Sequence, residues 1–415
     1  MQNTNTILQK QLEKIKPSKE EFFLIEEKAK NLCLKLKKAI KAKKVKAEVF
    51  IGGSLAKKTI LKKEKYDVDI FVRFNEKYKD KEISELLEKS IKNIESKAVR
   101  IHGSRDYFQI KSGKVIFEII PTIKVSNAEK ARNVTDLSYF HVDYVRKAVR
   151  KNEKLADDIM LAKAFCYANN CYGAESYISG FSGYALELLI IHYKSFLNFI
   201  RAVAKSEKQI IIDLKKWYKN KDDILLNLNE AKLKSAIVFV DPTFKQRNAL
   251  AALSKETFER FKANCQRFLK NPSSEFFEVK KINEKDYNLI IEAGTNKQQG
   301  DIAGSKLLKF FKFFSRELEK YFIIEKKDFK YDEKKKASFY FKIKEKKELI
   351  FSGPLITKVE NVVNFKKKHK NCFIKQGRVF ALEKSKNIKQ FLSLFKTRNK
   401  QVMGAMGIVG IDKIK

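Results

Sequence analysis

The segment from Ala47 to Phe74, AEVFIGGSLAKKTILKKEKYDVDIFVRF, constrains the rest of this 415-residue chain. It reads as a short apolar strand, a Gly-Gly-Ser turn, a basic helical turn and a second strand carrying two aspartates. Alternate strand residues share a face, so Asp67 and Asp69 point one way while Val68, Ile70, Val72 and Phe74 point into a core. Two carboxylates side by side on a buried strand repel each other, an arrangement that is costly without a cation. Hard divalent ions such as Mg²⁺ take carboxylate oxygens and leave room for substrate phosphates. The preceding turn offers a phosphate site. Gly52 and Gly53 permit close approach of a ligand, and Ser54 stands at a helix start, where free N–H groups bind anions. Lys57 and Lys58 add positive charge one turn later.

A third acid follows. After an amphipathic helix over Ile83–Lys97, strands are expected at Tyr107–Lys111 and Lys114–Ile120, joined by a Ser-Gly turn. Glu118 lies in the second, flanked by Phe117 and Ile119 and sharing a face with Ile116 and Ile120. A carboxylate in such a row needs a partner, either a nearby lysine or a metal shared with the aspartates. Beyond Pro121 the pattern turns helical, and NVTDLSYFHVDYV brings Ser138 and His141. In LAKAFCYANNCYGAE, Lys163 falls on a helix and Tyr172 on the turn after it; GFSGY then opens a strongly apolar helix. An apolar run, Ala236–Val240, ends at the Asp241-Pro242 turn, after which Arg247-Asn248 is expected to open a helix reaching about Leu269.

From Lys281 onward short strands and helices alternate, with no acid pair and with lysine throughout, which suits a binding module. The last apolar stretch, Val402–Ile414, is expected to pair as an edge strand. Composition supports a polyanionic partner: 89 Lys and Arg stand against 50 Asp and Glu, for a formal net charge of +39. Nucleic acid is the first such partner and an anionic membrane surface the second. Five scattered cysteines without a CxxC pair argue for a reducing compartment and against a zinc site or disulfide frame. The best apolar run, Tyr184–Tyr193, is short and interrupted by Glu187 and His192, so no transmembrane helix and no membrane partner are expected. The opening residues are polar rather than leader-like, and a cytoplasmic location follows as the expectation.

Gly-Ser, a basic turn and Asp-x-Asp a dozen or so residues on resemble the nucleotidyltransferases related to DNA polymerase β. The segments GGSLAKKT…DVDIF, FEIIPTIKV, SYFH, LAKAFCYANNCYGAE, GFSGYALELLI and DPTFKQRNALAALS, in that order, resemble the class I (archaeal) CCA-adding enzymes, with looser matches in SGPLITKVENVVNF and KQGRVFALEK. The resemblance covers most of the chain. It implies a multidomain α+β protein, with a polymerase-β-like palm as head (1–150), a helical neck (151–272), and an α/β body and tail (273–415) that bind RNA. It also implies template-independent addition of C, C and A to the tRNA 3′ end from CTP and ATP, with two Mg²⁺ ions on Asp67, Asp69 and Glu118. Gly53, Ser54, Lys57, Ser138, His141, Lys163 and Tyr172 fall on positions that resemble triphosphate and sugar contacts, and Arg247 on the base-reading position. Body and tail would grip the tRNA acceptor stem and TΨC arm, and a homodimer through the C-terminal half is one open arrangement. Glu118 departs from the family's usual Asp, being one methylene longer. Another RNA-tailing nucleotidyltransferase of the poly(A) polymerase type shares the palm, and an inactive RNA-binding protein on the same fold is the remaining alternative.

Overall fold

The computed structural model describes residues 4–92, 94–103, 105–228, 233–297, 299–384 and 386–415. The chain divides into two compact units, Met1–Lys280 and Lys281–Lys415. The first unit is built on two hydrophobic cores.

The first core lies under a five-stranded sheet of order β1-β2-β5-β4-β3. Its strands are β1 (Ala47–Ile51), β2 (Tyr66–Phe74), β3 (Val99–Ile101), β4 (Tyr107–Ser112) and β5 (Val115–Ile123). Only β2 and β5 run parallel; the other pairs are antiparallel. A break at Lys16–Ser18 separates α1 (Thr4–Ile15) from α2 (Lys19–Ala42), and Ser18 and Glu21 form a capping box at the start of α2. Ile25, Ala29, Leu36 and Ile40 of α2 pack with Ile83 and Leu87 of α4 (Asp80–Lys92) against Val68, Ile70, Val72 and Phe74. The alternation expected for β2 therefore holds. Between β1 and β2 stands α3 (Gly53–Ala56), a single turn.

The second core belongs to α5 (Ser138–Lys151), α6 (Lys154–Ala168), α7 (Gly183–Tyr193), α8 (Phe196–Lys205) and α10 (Lys255–Lys270), together with α1 through Leu8. The helices α6 and α7 are apolar on nearly every side, as fully buried helices are. A small sheet, β6 (Ile210–Asp213), β7 (Ile237–Asp241) and β8 (Phe244–Asn248), joins them, with α9 (Lys221–Asn227) beside it.

Two expectations need correction. Arg247 and Asn248 do not open a helix; they end β8, and the helix begins at Lys255 behind the Ser254 cap. Asp241 accepts from the Thr243 N–H at 2.8 Å, which turns the chain into a hairpin instead. Likewise β5 runs through Pro121 to Ile123. Pairing with β4 ends at Ile119, so the proline falls where only β2 flanks the strand.

The second unit holds a four-stranded antiparallel sheet of order β10-β11-β9-β15: β9 (Leu289–Thr295), β10 (Phe322–Tyr331), β11 (Lys336–Glu345) and β15 (Ile408–Lys413). The helix α11 (Asp301–Glu319) buries Leu307, Phe310, Phe314 and Leu318 against it. A second sheet, β12 (Glu348–Leu355), β14 (Arg378–Lys384) and β13 (Cys372–Lys375), is joined by α12 (Val359–Lys368) and followed by α13 (Ile388–Arg398). The terminal stretch splits into α14 (Lys400–Met406) and the edge strand β15 on β9.

Candidate active site

The parallel register of β2 and β5 sets Asp69 directly opposite Glu118. Both strands have their core face on the other side, so the two carboxylates project together from the open face. Asp67 precedes them at the strand's start and is exposed rather than buried, which relaxes the expected crowding of the aspartate pair. Lys63 approaches it at 3.8 Å. Burial, and then the charge of Asp67, push the Asp69 carboxyl upward against the pull of Lys57 and Lys163. Burial and the neighbouring Asp69 push Glu118 up to about 7. The partner that Glu118 requires is Gln109, directly opposite on β4, whose Nε2 donates to Oε1 at 2.9 Å.

The turn before β2 is shaped around Asp69. The Gly52 N–H donates to the Asp69 backbone carbonyl at 2.9 Å. Gly53 has φ +55°, and a Cβ there would meet Asp69 Oδ2 at 1.7 Å. A side chain there is strained and would push the Asp69 carboxylate aside.

Gly53, Ser54, Lys57, Asp67, Asp69, Lys163 and Tyr172 line one cavity of about 250 Å³, so seven of the sequence-derived site residues share a wall. Lys57 and Lys163 reach it as buried ammonium groups on either side of Glu187. Lys57 Nζ donates to Glu187 Oε2 at 2.7 Å, and Lys163 Nζ donates to Oε1 at 3.0 Å and to Thr59 Oγ1 at 2.9 Å. Burial depresses the Lys163 ammonium, with Glu187 opposing that effect. Although burial resists it, the two lysines hold Glu187 below the usual carboxylate range. Two cations against one anion leave the cluster one positive charge in excess beside Asp69. Tyr172 stacks on Tyr167 with centroids 4.0 Å apart.

Four residues lie off that wall: Glu118, opposite Asp69 on β5, and three farther along the chain. Ser138 is the half-buried first residue of α5, and neither it nor His141 belongs to the cavity wall. His141 is buried, stacks on Tyr184 at 3.9 Å and places Nε2 3.2 Å from Asp241 Oδ2, out of line for a hydrogen bond. Burial keeps its imidazole neutral-leaning, below its ordinary value. Arg247 lines a second cavity of about 440 Å³ with Asn133, Gly180 and Ser182, and donates to Asp241 Oδ2 at 2.6 Å.

Sequence reasoning missed Thr59, Gln109, Glu187 and Asp241 as members of the site. Glu187 was visible as an acid inside the apolar run LELLII, a position that demands a buried partner. Gln109 carried no such signal.

Among the described residues no three His, Cys, Asp or Glu side chains converge as a ready metal cage. The donors nevertheless fit a hard divalent cation: they are carboxylate oxygens, and two of the three are held above their ordinary pKa by burial and by one another. A cation between them would relieve both effects.

The model for the second domain of tRNA nucleotidyltransferases matches residues 157–278, and the second messenger oligonucleotide or dinucleotide synthetase domain model matches residues 1–138. The CCA-adding enzyme of Methanocaldococcus jannaschii is 30% identical over 94% of this chain and 89% of its own length. That of Nanoarchaeum equitans is 37% identical over 66% of this chain and 67% of its own. Among solved structures, a cytoplasmic RNA terminal U-transferase shares the fold at TM-score 0.52 and 14% identity, over 67% of this chain and 99% of that one. E. coli CdnC with ATP does so at 0.50 and 15%, over 66% and 95%. Similarity to the Methanocaldococcus protein along nearly the whole length, with the polymerase-β-like fold beneath it, places this chain in the family of class I (archaeal) CCA-adding enzymes.

Proposed function

We infer that the protein extends the 3′ end of tRNA by C, C and A, taking nucleotides from CTP and ATP without a nucleic-acid template and releasing pyrophosphate. The observation that carries the catalytic reading is the register that pairs Asp69 with Glu118 beside a cavity walled by Lys57 and Lys163. The fold family works with divalent cations, and Mg²⁺ is the ion proposed here. Asp67, Asp69 and Glu118 would hold it. When bound, it supplies charge stabilisation to the transferring phosphoryl group.

The remaining work falls to the chain itself. Lys57 and Lys163, fixed by Glu187 and Thr59, bind the triphosphate with their excess positive charge and hold it in line for displacement. Ser54 and the Gly53 turn cradle phosphate oxygens, while Tyr172 packs against the nucleotide. Ser138 and His141 are assigned to the sugar side and Arg247 to the base, where a planar fork of donors can read a hydrogen-bonding edge. Residues 273–415, rich in lysine, are assigned to the acceptor stem and TΨC arm, and the enzyme to the cytoplasm.

The test is the sequence of 3′ ends after incubation of a tRNA transcript lacking CCA with CTP, ATP and Mg²⁺, beside transcripts ending in C or CC and an unrelated RNA. Addition that stops after C-C-A on tRNA alone is expected. Long A tails, or equal extension of the unrelated RNA, would move the protein to the RNA-tailing polymerases.

A further inference from the structure

Asp241, at the end of β7, is fully buried and accepts four hydrogen bonds. Its Oδ1 accepts from the Thr243 N–H at 2.8 Å, the Thr243 hydroxyl at 2.7 Å and the Tyr184 hydroxyl at 3.0 Å. Its Oδ2 accepts from Arg247 Nη1 at 2.6 Å and faces His141 Nε2. Tyr184 in turn lines the Asp69 cavity and Arg247 the second cavity, so one carboxylate ties together the side chains that face two hollows of the same unit. The Arg247 side chain is 23% exposed while its anchor is closed to solvent. One edge of the guanidinium is therefore fixed and the rest looks outward.

We propose that Asp241 is a positioning residue that sets nucleotide choice, by locking the Arg247 guanidinium in one plane and tying it to Tyr184. The proposal rests on the reading of Arg247 as the group that meets the base. A long, flexible side chain discriminates between base edges only when its donors are held in a single orientation, because a swinging fork satisfies several edges equally well. Burial alone would push Asp241 up, but the Arg247 guanidinium and the Thr243 N–H hold it well below the usual carboxylate range, so it stays an acceptor on both oxygens. Asparagine cannot replace it. With its oxygen kept by Thr243 and Tyr184, its NH₂ faces the Arg247 N–H, donor against donor.

The experiment is steady-state incorporation on a tRNA transcript lacking CCA, with kcat/KM measured separately for CTP, ATP, UTP and GTP. The correct-to-incorrect ratio is independent of the folded fraction, so a loss of stability alone does not move it. Asp241→Asn is expected to narrow that ratio on the order of tenfold, as loss of a charge-assisted hydrogen bond would, while tRNA affinity is kept. Tyr184→Phe, which removes one donor to Asp241 and no charge, shifts the ratio less and in the same direction, and decides the matter where Asp241→Asn is insoluble. Arg247→Ala is the control. If it loses selectivity while Asp241→Asn and Tyr184→Phe keep the wild-type ratio, the positioning role is overturned and the reading of Arg247 stands. If Arg247→Ala itself keeps the wild-type ratio, the base-reading assignment falls and this proposal with it.

Discussion

Two like-charge clusters meet at one cavity, whose wall takes Lys57 and Lys163 from one and Asp67 and Asp69 from the other, and they are built differently. The lysines Lys57 and Lys163 carry their own counterion, Glu187, which bridges both and is buried with them. The carboxylates Asp67, Asp69 and Glu118 have no counterion of their own buried among them: an exposed lysine stands 3.8 Å from Asp67, Asp69 shares the pull of Lys57 and Lys163 with Glu187, and Glu118 holds a neutral amide. The lysine cluster offsets most of its charge internally and keeps one positive charge in excess, whereas the carboxylates repel one another with no buried cation of their own, a donor set that suits a hard divalent ion. The contrast also says which side of the site is preorganised. On the proposed assignment, Lys57 and Lys163 are fixed before any nucleotide arrives, and the carboxylates form the side that a cation would complete.

The largest effect is on turnover. Asp69→Asn is expected to lower incorporation on the order of 10³-fold or more, as loss of several kcal/mol of phosphoryl-transfer stabilisation would, while tRNA binding in a filter assay is retained. Next comes the built-in counterion. Glu187→Gln leaves two buried ammonium groups without an anion and is expected to cost about 3 kcal/mol in denaturant unfolding. Unchanged stability would mean that the lysines need no partner and that the two clusters are alike.

Glu118 supplies a pH test. Its carboxyl ordinarily titrates at 4.5 and in the folded protein is pushed up to about 7, so the folded state binds the extra proton between those values. Stability of the cation-free protein therefore falls as pH rises from 4.5 through about 7 and levels off above it. The expected loss is on the order of 3 kcal/mol, and Glu118→Gln should flatten that part of the profile. The smallest effect has the opposite sign to the Glu187 result. Asp69→Asn, by removing a repelled charge, is expected to raise cation-free stability by about 1 kcal/mol in the same unfolding assay.

How much of this the sequence discloses depends on the reach of each interaction. The strand β2 and its two aspartates follow from strict alternation in YDVDIFVRF, because a half-covered strand imposes that period locally. The α7 helix was equally legible, yet Glu187 inside it read only as an interruption of an apolar run. Its partners Lys57 and Thr59 lie 130 and 128 residues away, and nothing local announces them. Gln109 owes its place to strand register, which no single segment states. The error at Arg247-Asn248 came from reading Pro242 as a plain loop marker. The Asp241 side chain, by capping the turn at Thr243, made it the corner of a hairpin, and that same carboxylate then took hold of Arg247.

The claim that the carboxylates form the side a cation would complete is tested most directly by cation binding. Mn²⁺ titrated into the nucleotide-free protein, followed by electron paramagnetic resonance, should show bound ion in the wild type and in Glu187→Gln. It should be lost in Asp67→Asn and Asp69→Asn, which still bind CTP through the lysines. Ion that remains bound at wild-type affinity in both aspartate variants would contradict the account, because the carboxylates would then be neither the site nor in need of one.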